Sequence, residues 1–334
     1  MKNRLFAAIL ALLMLFFCSC DIAENVDNES LNSDSSVALS DTDSSEVSET
    51  SEVEKSEITP LFWKATDEDG NVLWLFGSIH AGYDYYYPLP KTVMDAYEGS
   101  DALAVEVDII AFEKNLTEAY KAMQPLMYLD GTKISDHIPQ ELYDRAVKDL
   151  KEVGLYMSAF DMYKPSAWSS FFADDYIKKA EMDADKGIDR FFLKDAKKAK
   201  KEIVEIESAA LQYGMLGNFS EELQISMLEQ ELDAYESGSS VEELKKLAAA
   251  WAKGDEEELN KLVLLPEGEE LDELTMEYWN AMMTDRNKGM VDYCIDAIES
   301  GDEVFVVVGL AHFLGDEGII NQLREAGYTV EKID

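Results

Sequence analysis

A run of five consecutive apolar residues at positions 304–308, four of them valine, constrains the fold of this chain more than any other sequence feature. A strand that is apolar at every position is buried on both faces, which is typical of a parallel sheet covered by helices. Residues 315–326 then predict a helix that ends at Gly327, and residues 328–333 predict a last strand. The C-terminal part is therefore predicted to be a strand-helix-strand unit of an α/β domain.

Two further apolar, β-prone segments lie at residues 61–66 and 72–79. The polar turn at residues 69–71 contains a glycine, so the two segments predict an N-terminal β-hairpin. A predicted helix follows, which two prolines introduce and Gly99 closes. Residues 102–107 form a short, largely apolar segment, as expected of a buried strand. The N-terminal part thus contains a second strand-helix-strand unit.

Residues 112–185 show helical periodicity without a good strand, so they predict a large helical insert. Another brief strand is predicted at residues 202–206, after a lysine-rich helix. Residues 220–300 are predicted to be helical, with breaks at Gly238 and Gly254. Together these segments predict an α/β (α+β) fold with a central mixed β-sheet, which carries the hairpin, the insert and the C-terminal strand-helix-strand unit.

Residues 1–20 are predicted to be an export signal, because a short basic region precedes an uninterrupted apolar stretch. Ser19 precedes Cys20, and residues 17–20 resemble the processing site of bacterial lipoproteins, at which the cysteine is lipidated. This pattern predicts an extracytoplasmic protein that is anchored through Cys20 to a membrane of a bacterial cell envelope. A plain cleaved signal peptide and an uncleaved anchor are the alternatives.

The charge of the chain separates a predicted tether from a predicted domain. Residues 21–59 contain ten serines, no aromatic residue and twelve acidic residues against one lysine, so they predict a disordered tether. The whole chain carries −40 and residues 1–59 carry −9, which leaves −31 for the domain at 60–334. Such a field repels phosphate groups and excludes general nucleic-acid binding. Cys294 is the one cysteine of the domain, which excludes a disulfide framework.

The chain has three histidines, and two of them, His80 and His312, end a Gly-x-x-His motif directly after an apolar strand. Open α/β sheets bind ligands at the carboxyl ends of their strands, so both motifs lie where a site is expected. Neutral imidazole is the commonest metal ligand in proteins. The pair of motifs favours a shared site, although a strand-end histidine can also be a hydrogen-bonded structural residue.

Two carboxylates, Glu106 and Asp108, lie at the end of the apolar segment 102–107. Residues two apart in a strand share one face, so their side chains are predicted to point the same way. A carboxylate in so apolar a strand is costly unless a cation or a metal ion is its partner. Glu106 is therefore a candidate site residue. Asp108 is either a second carboxylate near the site or, as we favour, a cap of the next helix.

These motifs occur together with several others along the chain. They are residues 75–80 (Leu-Phe-Gly-Ser-Ile-His), 87–90 (Tyr-Pro-Leu-Pro) and 105–108 (Val-Glu-Val-Asp), Lys164-Pro165, Gly187-Ile188-Asp189, Glu207 with Gln212, Trp251 with Gly254-Asp255, Asp285-Arg286-Asn287 with Met290, and the stretch 304–330 with His312, Gly315, Gly318 and Gly327. The ordered combination resembles the TraB/GumN family over about residues 61–333, and it is far more specific than any one motif.

Members of that family share two Gly-x-x-His motifs and a glutamate, so the resemblance implies a central catalytic site of His80, Glu106 and His312. The animal relatives, the TIKI proteins, are metal-dependent peptidases, and the fold is related to that of the erythromycin esterase and ChaN proteins. The resemblance therefore implies that these three residues hold a divalent metal ion, with Mn, Co or Zn as the candidates.

Four further residues are candidates around this site. Asp189, in a Gly-Ile-Asp turn, is either another metal ligand or a helix cap. Glu207, after a strand, is either a carboxylate behind the site or a surface residue. Arg286 and Asn287 are predicted to bind a substrate carboxylate or oxyanion, because guanidinium presents a fixed fork of donors. A structural salt bridge is the alternative for Arg286.

The leading prediction of function is an extracytoplasmic, lipid-anchored, metal-dependent hydrolase that cleaves a peptide or protein with metal-activated water. A non-catalytic metal- or ligand-binding lipoprotein is one alternative. Hydrolysis of an ester or a lactone is another, which rests on the related fold alone. The predicted contact with a membrane is through the lipid anchor only. The sequence makes no prediction of the individual substrate or of the oligomeric state.

Overall fold

The computed structural model describes residues 57–266, 268 and 270–333. The predicted signal segment with Cys20, and all but the end of the predicted tether, lie outside the described residues. The described part contains one sheet of six strands in the order β4-β3-β5-β2-β1-β6. The strands are β1 (Phe62–Thr66), β2 (Val72–Ser78), β3 (Ala102–Val105), β4 (Glu202–Glu205), β5 (Val304–Gly309) and β6 (Thr329–Lys332).

The sheet is mixed, as predicted. β5 pairs in parallel with β2 and with β3, and β3 pairs in parallel with β4. β1 is antiparallel to β2, which confirms the predicted N-terminal hairpin, and it is also antiparallel to β6. The carboxyl ends of β2, β3, β4 and β5 therefore meet at one edge of the sheet.

Helices connect the strands and cover the sheet. In chain order they are α1 (Lys91–Gly99), α2 (Ile109–Lys114), α3 (Leu116–Met123), α4 (Gln140–Glu152), α5 (Pro165–Ser170), α6 (Ala173–Lys179), α7 (Ile188–Ala199), α8 (Ala209–Gly217), α9 (Glu221–Ser237), α10 (Ser239–Lys253), α11 (Glu256–Val263), α12 (Glu273–Trp279), α13 (Asp285–Ser300) and α14 (Ile319–Glu325). A π-helical turn, Asn280–Thr284, joins α12 to α13. The predicted breaks at Gly238 and Gly254 are confirmed, since both glycines adopt left-handed backbone angles where α9 and α10 end.

The central strands are covered on both faces. Every residue of β3 and of β5 is buried, which explains why these segments are apolar throughout and do not alternate. On one face the ring of Phe76 contacts Phe192 of α7 at 5.8 Å and Trp251 of α10 at 6.3 Å between centroids. The indole N–H of Trp251 also donates to the carbonyl of Gly77 at 2.9 Å. These contacts hold the end of β2 against the helices.

The strand predicted at residues 102–107 is shorter than expected. β3 ends at Val105, and the side chain of Asp108 accepts a hydrogen bond from the N–H of Ala111 at 3.0 Å, which caps α2. The cap requires the chain to leave the extended conformation, so Glu106 and Asp108 are not neighbours on one face of a strand. The capping role that we favoured for Asp108 is confirmed.

The start of the folded domain also differs from the prediction. Ile58 is buried in the core, and the N–H of Thr59 donates to the carbonyl of Ala252 at 2.8 Å. These two residues, which composition places in the tether, therefore belong to the domain, because the burial of Ile58 and the backbone hydrogen bond of Thr59 attach them to it. Within residues 57–266, 268 and 270–333, no helix combines the length and the apolar character that crossing a membrane requires.

Candidate functional site

Four side chains come together where the parallel strands end. His80 follows β2, Glu106 follows β3, Glu207 follows β4 and His312 lies in a 3₁₀ turn after β5. Strand ends of a parallel sheet share one edge, so residues up to 232 positions apart in sequence meet there. The structure thus places two of the histidines and two of the predicted carboxylates at one edge.

Glu106 lies at the centre of this cluster, and its two oxygens have different partners. Oε1 accepts a hydrogen bond from the backbone N–H of Gly309 at 2.7 Å. A Cβ atom on Gly309 would lie 3.2 Å from that oxygen, so a glycine lets the carboxylate approach closely. Oε2 accepts from Arg286 Nη2 at 2.6 Å and from Gln212 Nε2 at 3.1 Å.

Arg286 of α13 bridges two buried carboxylates. Besides Glu106, its Nε and Nη2 atoms donate to Glu207 at 2.9 and 2.8 Å. Gln212 of α8 completes the network by donating to Glu207 at 2.8 Å. Burial raises the pKa of Glu106, but the charge of Arg286, together with the neighbouring imidazoles and the Gly309 N–H, holds it well below its usual range. Glu106 is therefore ionised at neutral pH.

His312 is buried and is oriented by Asn287 of α13. The amide nitrogen of Asn287 donates to the carbonyl of Glu317 at 2.8 Å, so its Oδ1 atom is the acceptor 2.6 Å from His312 Nδ1. The proton of a neutral ring is therefore on Nδ1, and the lone pair is on Nε2. Burial and Arg286 lower the pKa of His312 to about 3, which keeps the ring neutral. Its Nε2 atom is buried without a hydrogen-bond partner, 3.9 Å from Glu106 Oε1.

His80 lies on the more accessible side of the cluster and is paired with Asp189 of α7. Its Nδ1 atom lies 2.7 Å from Asp189 Oδ2, and the two side chains are 11% and 13% exposed, against 4% and 5% for Arg286 and Glu106. Burial lowers the pKa of His80, but the charge of Asp189 and its hydrogen bond outweigh burial and raise it. Gly187 allows this pairing, because a Cβ atom there would lie 2.1 Å from the His80 carbonyl oxygen.

The chain is similar to known proteins over most of its described part. The profile of the TraB/PrgY/gumN family matches residues 61–332, nearly the whole described part. The chain belongs to the TraB/PrgY/gumN family. It is 24% identical to the uncharacterized protein YbaP of Escherichia coli (strain K12) over 252 aligned residues. These residues make up 75% of this chain and 87% of YbaP. YbaP of Shigella flexneri matches to the same extent.

The family membership confirms the resemblance that the motifs predicted. No solved structure matches the chain, so the relation to the erythromycin esterase and ChaN folds stays a prediction.

The other predicted residues of this TraB-family chain differ in how they contact the cluster. Asp189 contacts His80 and does not cap α7, whose N-cap is Gly187. Glu207 is buried in the network and does not lie on the surface. Arg286 forms the structural salt bridge that was its alternative role, and both of its charged partners are carboxylates of the chain.

Asp108 is the predicted residue that lies apart from the cluster. Its side chain caps α2 and forms an ion pair with Lys197 of α7. Its backbone N–H donates to the side chain of Glu205 at 2.8 Å. These contacts hold the start of α2 beside β4, so Asp108 shapes the segment after Glu106 without joining its network.

Sequence reasoning gave no role to two groups of this site. The sequence patterns include Gln212 only as part of the family resemblance, and they do not indicate the backbone N–H of Gly309. The available signal for Gln212 was its place in the first turns of α8, where every other residue is apolar, glycine or tyrosine. A buried amide at such a position needs a polar partner, which the two carboxylates provide.

Proposed function

We propose that this protein is a hydrolase that binds one divalent metal ion through His80, Glu106 and His312 and cleaves peptide bonds. The observation that supports it most is His312 Nε2, a buried lone pair without a hydrogen-bond partner, 3.9 Å from Glu106 Oε1. A buried polar atom left without a partner costs free energy, and a bound cation would remove that cost.

The donor set fits such an ion. The Nδ1 atom of His80 is hydrogen-bonded to an oxygen of Asp189, and that of His312 to an oxygen of Asn287. Metal-ligating histidines typically have such a hydrogen bond, because it fixes the orientation and the tautomer of the ring. Two imidazoles and a carboxylate leave coordination positions open for substrate. Among the residues that the structure describes, no three His, Cys, Asp or Glu side chains are already grouped as ligands. Metal binding therefore requires these side chains to adjust.

The surrounding residues have distinct roles in this proposal. When bound, the ion would act as a Lewis acid, which polarises a substrate carbonyl and activates water at neutral pH. Arg286 keeps Glu106 ionised, so Glu106 serves as a ligand and not as a proton acceptor. Asn287 and Asp189 orient the two rings. Glu207 and Gln212 hold Arg286 and Glu106 in place.

One observation favours a second candidate, the hydrolysis of an ester or lactone without a metal. The His80–Asp189 pair has the geometry of the oriented general base in hydrolases, with a 2.7 Å contact and the more accessible position in the cluster. In that case His80 Nε2 would accept the proton of an attacking water. This activity would persist after every metal ion is removed.

The two candidates are separated by metal content and by turnover. We expect the purified full-length protein, once stripped with a chelator, to regain one equivalent of Mn, Co or Zn, and to hydrolyse a mixture of fluorogenic peptides only in the loaded state. His312→Ala should lose stoichiometric binding and lower turnover by about 10²-fold or more, since the site is assembled from few ligands. His137→Ala is the matched control, because that ring stacks on Tyr128 and hydrogen-bonds Thr132, away from the cluster.

Three results would contradict the proposal. Equal metal content in the wild type and His312→Ala would show that the cluster is not the metal site. Ester or lactone turnover that resists the chelator and is lost in His80→Ala would favour the second candidate. Metal binding without turnover of any peptide would indicate a non-catalytic binding protein.

The proposal includes a lipid anchor on Cys20 and a location outside the cytoplasm. Its support is the order of a basic region, an apolar stretch, Ser19 and Cys20, followed by the acidic serine-rich segment. We expect Cys20→Ala to leave the protein unprocessed or to release it from the membrane fraction, because stable anchoring needs attached acyl chains. Cys18→Ala is the matched control and should stay anchored. Unchanged mass and fractionation of Cys20→Ala would refute the anchor.

A further inference from the structure

Ser78, the last residue of β2, carries a buried hydroxyl without a hydrogen-bond partner. The residue is 0% exposed, and its Oγ atom forms no hydrogen bond to any of the residues that the structure describes. Other buried serines are paired, such as Ser169 and Ser170 of α5, which donate to backbone carbonyls at 3.2 and 2.6 Å. A buried hydroxyl left unpaired costs free energy, and a bound group that contacts Ser78 Oγ would remove that cost.

The pairing of β2 with β5 determines the face of the sheet from which Ser78 projects. Ser78 is the register partner of Gly309 in this parallel pair, and paired residues of neighbouring strands share a face. Phe76 and Phe305, which precede them by two and four residues, project from the same face, since their rings lie 6.1 Å apart between centroids. Ser78 therefore projects from the face on which Gly309 would carry a side chain.

The same face carries Glu106 and His312. A Cβ atom on Gly309 would lie 3.2 Å from Glu106 Oε1 and 3.6 Å from His312 Cδ2, the ring carbon bonded to Nε2. Gly309 places no side chain between these two residues and Ser78, whose strand is about 4.8 Å away. Ser78 Oγ and His312 Nε2, both buried and without a hydrogen-bond partner in the described part of the chain, thus flank Gly309 at the end of the sheet.

We propose that Ser78 Oγ is a further ligand of the ion that His80, Glu106 and His312 bind. One cation gives a partner to both buried atoms, because each of them presents a lone pair. Serine hydroxyls bind divalent metal ions in phosphate-binding loops, so the ligand type is an ordinary one. The ligands are then two imidazole nitrogens, a carboxylate oxygen and a hydroxyl oxygen. The inference rests on the metal site of the proposed function and not on the cleavage of a peptide.

A buried water molecule is the alternative partner of the two atoms. It would donate a hydrogen bond to His312 Nε2 and accept one from the Ser78 hydroxyl. Metal binding would then be independent of Ser78. The effect of Ser78 on metal affinity therefore separates the two occupants.

The first test removes the hydroxyl. We expect Ser78→Ala in the full-length protein to weaken the binding of Co²⁺ by about tenfold or more, at least the loss caused by removing a group behind a metal ligand. The melting temperature of the metal-free protein should not fall, because the variant loses an unpaired hydroxyl. Ser166→Ala is the matched control. Ser166 is also buried, but its hydroxyl donates to Gln224 Oε1 at 3.0 Å, so this variant should lower the melting temperature and leave the affinity for Co²⁺ unchanged.

The second test measures whether the side chain at position 78 reaches the ion. Thiolates bind metal ions, and a cobalt–thiolate bond adds strong absorption in the near ultraviolet. We expect this absorption in the cobalt-loaded Ser78→Cys protein and not in Ser166→Cys. The wild type, with its three cysteines including the buried Cys294, gives the baseline. Ser78→Cys should also raise the affinity for Zn²⁺ relative to Mn²⁺, because a thiolate is a softer ligand than a hydroxyl.

Either unchanged cobalt affinity in Ser78→Ala or the absence of thiolate absorption in Ser78→Cys would overturn the inference, in favour of a buried water. If His312→Ala still loses the metal in that case, the proposed metal site stands and only the ligand assignment fails. A wild type that binds no cobalt would refute both. If Ser78 proves to be a ligand but the wild type cleaves no peptide, the inference stands and only the proposed cleavage fails.

Discussion

Replacing Arg286 by methionine should lower the free energy of unfolding by about 3–5 kcal/mol, the cost of removing one partner from a buried ionic group. The guanidinium of Arg286 is 4% exposed, and the two carboxylates that it pairs with are each 5% exposed. Water therefore cannot replace the guanidinium as the partner of either carboxylate. The corresponding loss in melting temperature is roughly 6–20 °C for a domain of this size. Equilibrium unfolding in urea of the wild type and the variant measures the difference.

The pH dependence gives this prediction a second readout. The depressed pKa of Glu106 contributes stability that is present above the unfolded value near 4.5 and is lost as the pH falls through the lower folded value. Without Arg286 that contribution disappears, so the difference between wild type and variant should shrink in acid.

Two further variants show whether charge causes the effect. Arg286→Met combined with Glu106→Gln and Glu207→Gln should recover most of the lost stability, because no unpaired charge remains buried. Arg145→Met is the matched control, since Arg145 pairs with Asp233 and Glu236 on the surface, and its removal should cost less than about 1 kcal/mol. A loss below 1 kcal/mol in Arg286→Met would contradict our account of the network.

Replacing Gly187 by alanine should cost about 2–4 kcal/mol through a clash at the His80 backbone. The new Cβ would lie 2.1 Å from the His80 carbonyl oxygen and 2.6 Å from its carbon, so α7 and the His80 segment have to separate. Overpacking costs about 1–3 kcal/mol and the lost hydrogen bonds add about 1 kcal/mol. Those bonds are Ile188 N–H to the Ile79 carbonyl at 2.9 Å and His80 to Asp189 at 2.7 Å.

The same variant should alter the titration of His80, which NMR can follow in the metal-free protein. Asp189 raises the pKa of His80, so separation from Asp189 should lower it. A raised histidine pKa contributes stability that is present below the unfolded value of 6.5 and is lost above the folded value. The stability deficit should therefore be larger at pH 5 than at pH 9. Gly289→Ala, in an open position of α13, is the control and should be neutral or stabilising by up to about 1 kcal/mol. An unchanged His80 titration in Gly187→Ala would refute the clash.

The strands could be predicted from sequence because their signals are local. The run at residues 304–308 is short and contains four β-branched valines, which favours a buried strand over a helix, and the hairpin turn carries its own glycine. The end of β3 could not be predicted in the same way. Val107 is as apolar as Val105, and only the capping bond of Asp108 to Ala111, which depends on the docked position of α2, determines where the strand stops.

The candidate site was predicted in part for a similar reason. His80, Glu106 and His312 follow strands, so the sheet brings them to one edge whatever the helices do. Arg286 and Gln212 come from helices whose docking is a tertiary property, and no short-range pattern reveals that both reach Glu106. The sequence left Arg286 between substrate binding and a salt bridge, and only the packed structure distinguishes the two.

The position of β5 has a consequence for how the chain reaches this structure. β5 pairs with β2 on one side and β3 on the other, so without it the sheet divides into two separate small groups of strands. Isolated two-stranded units are marginally stable in water. The two halves therefore cannot join until β5, which begins 226 residues after β2 ends, has been synthesised. Pairings of such high sequence separation also make folding slow, since loops must close before the contacts form.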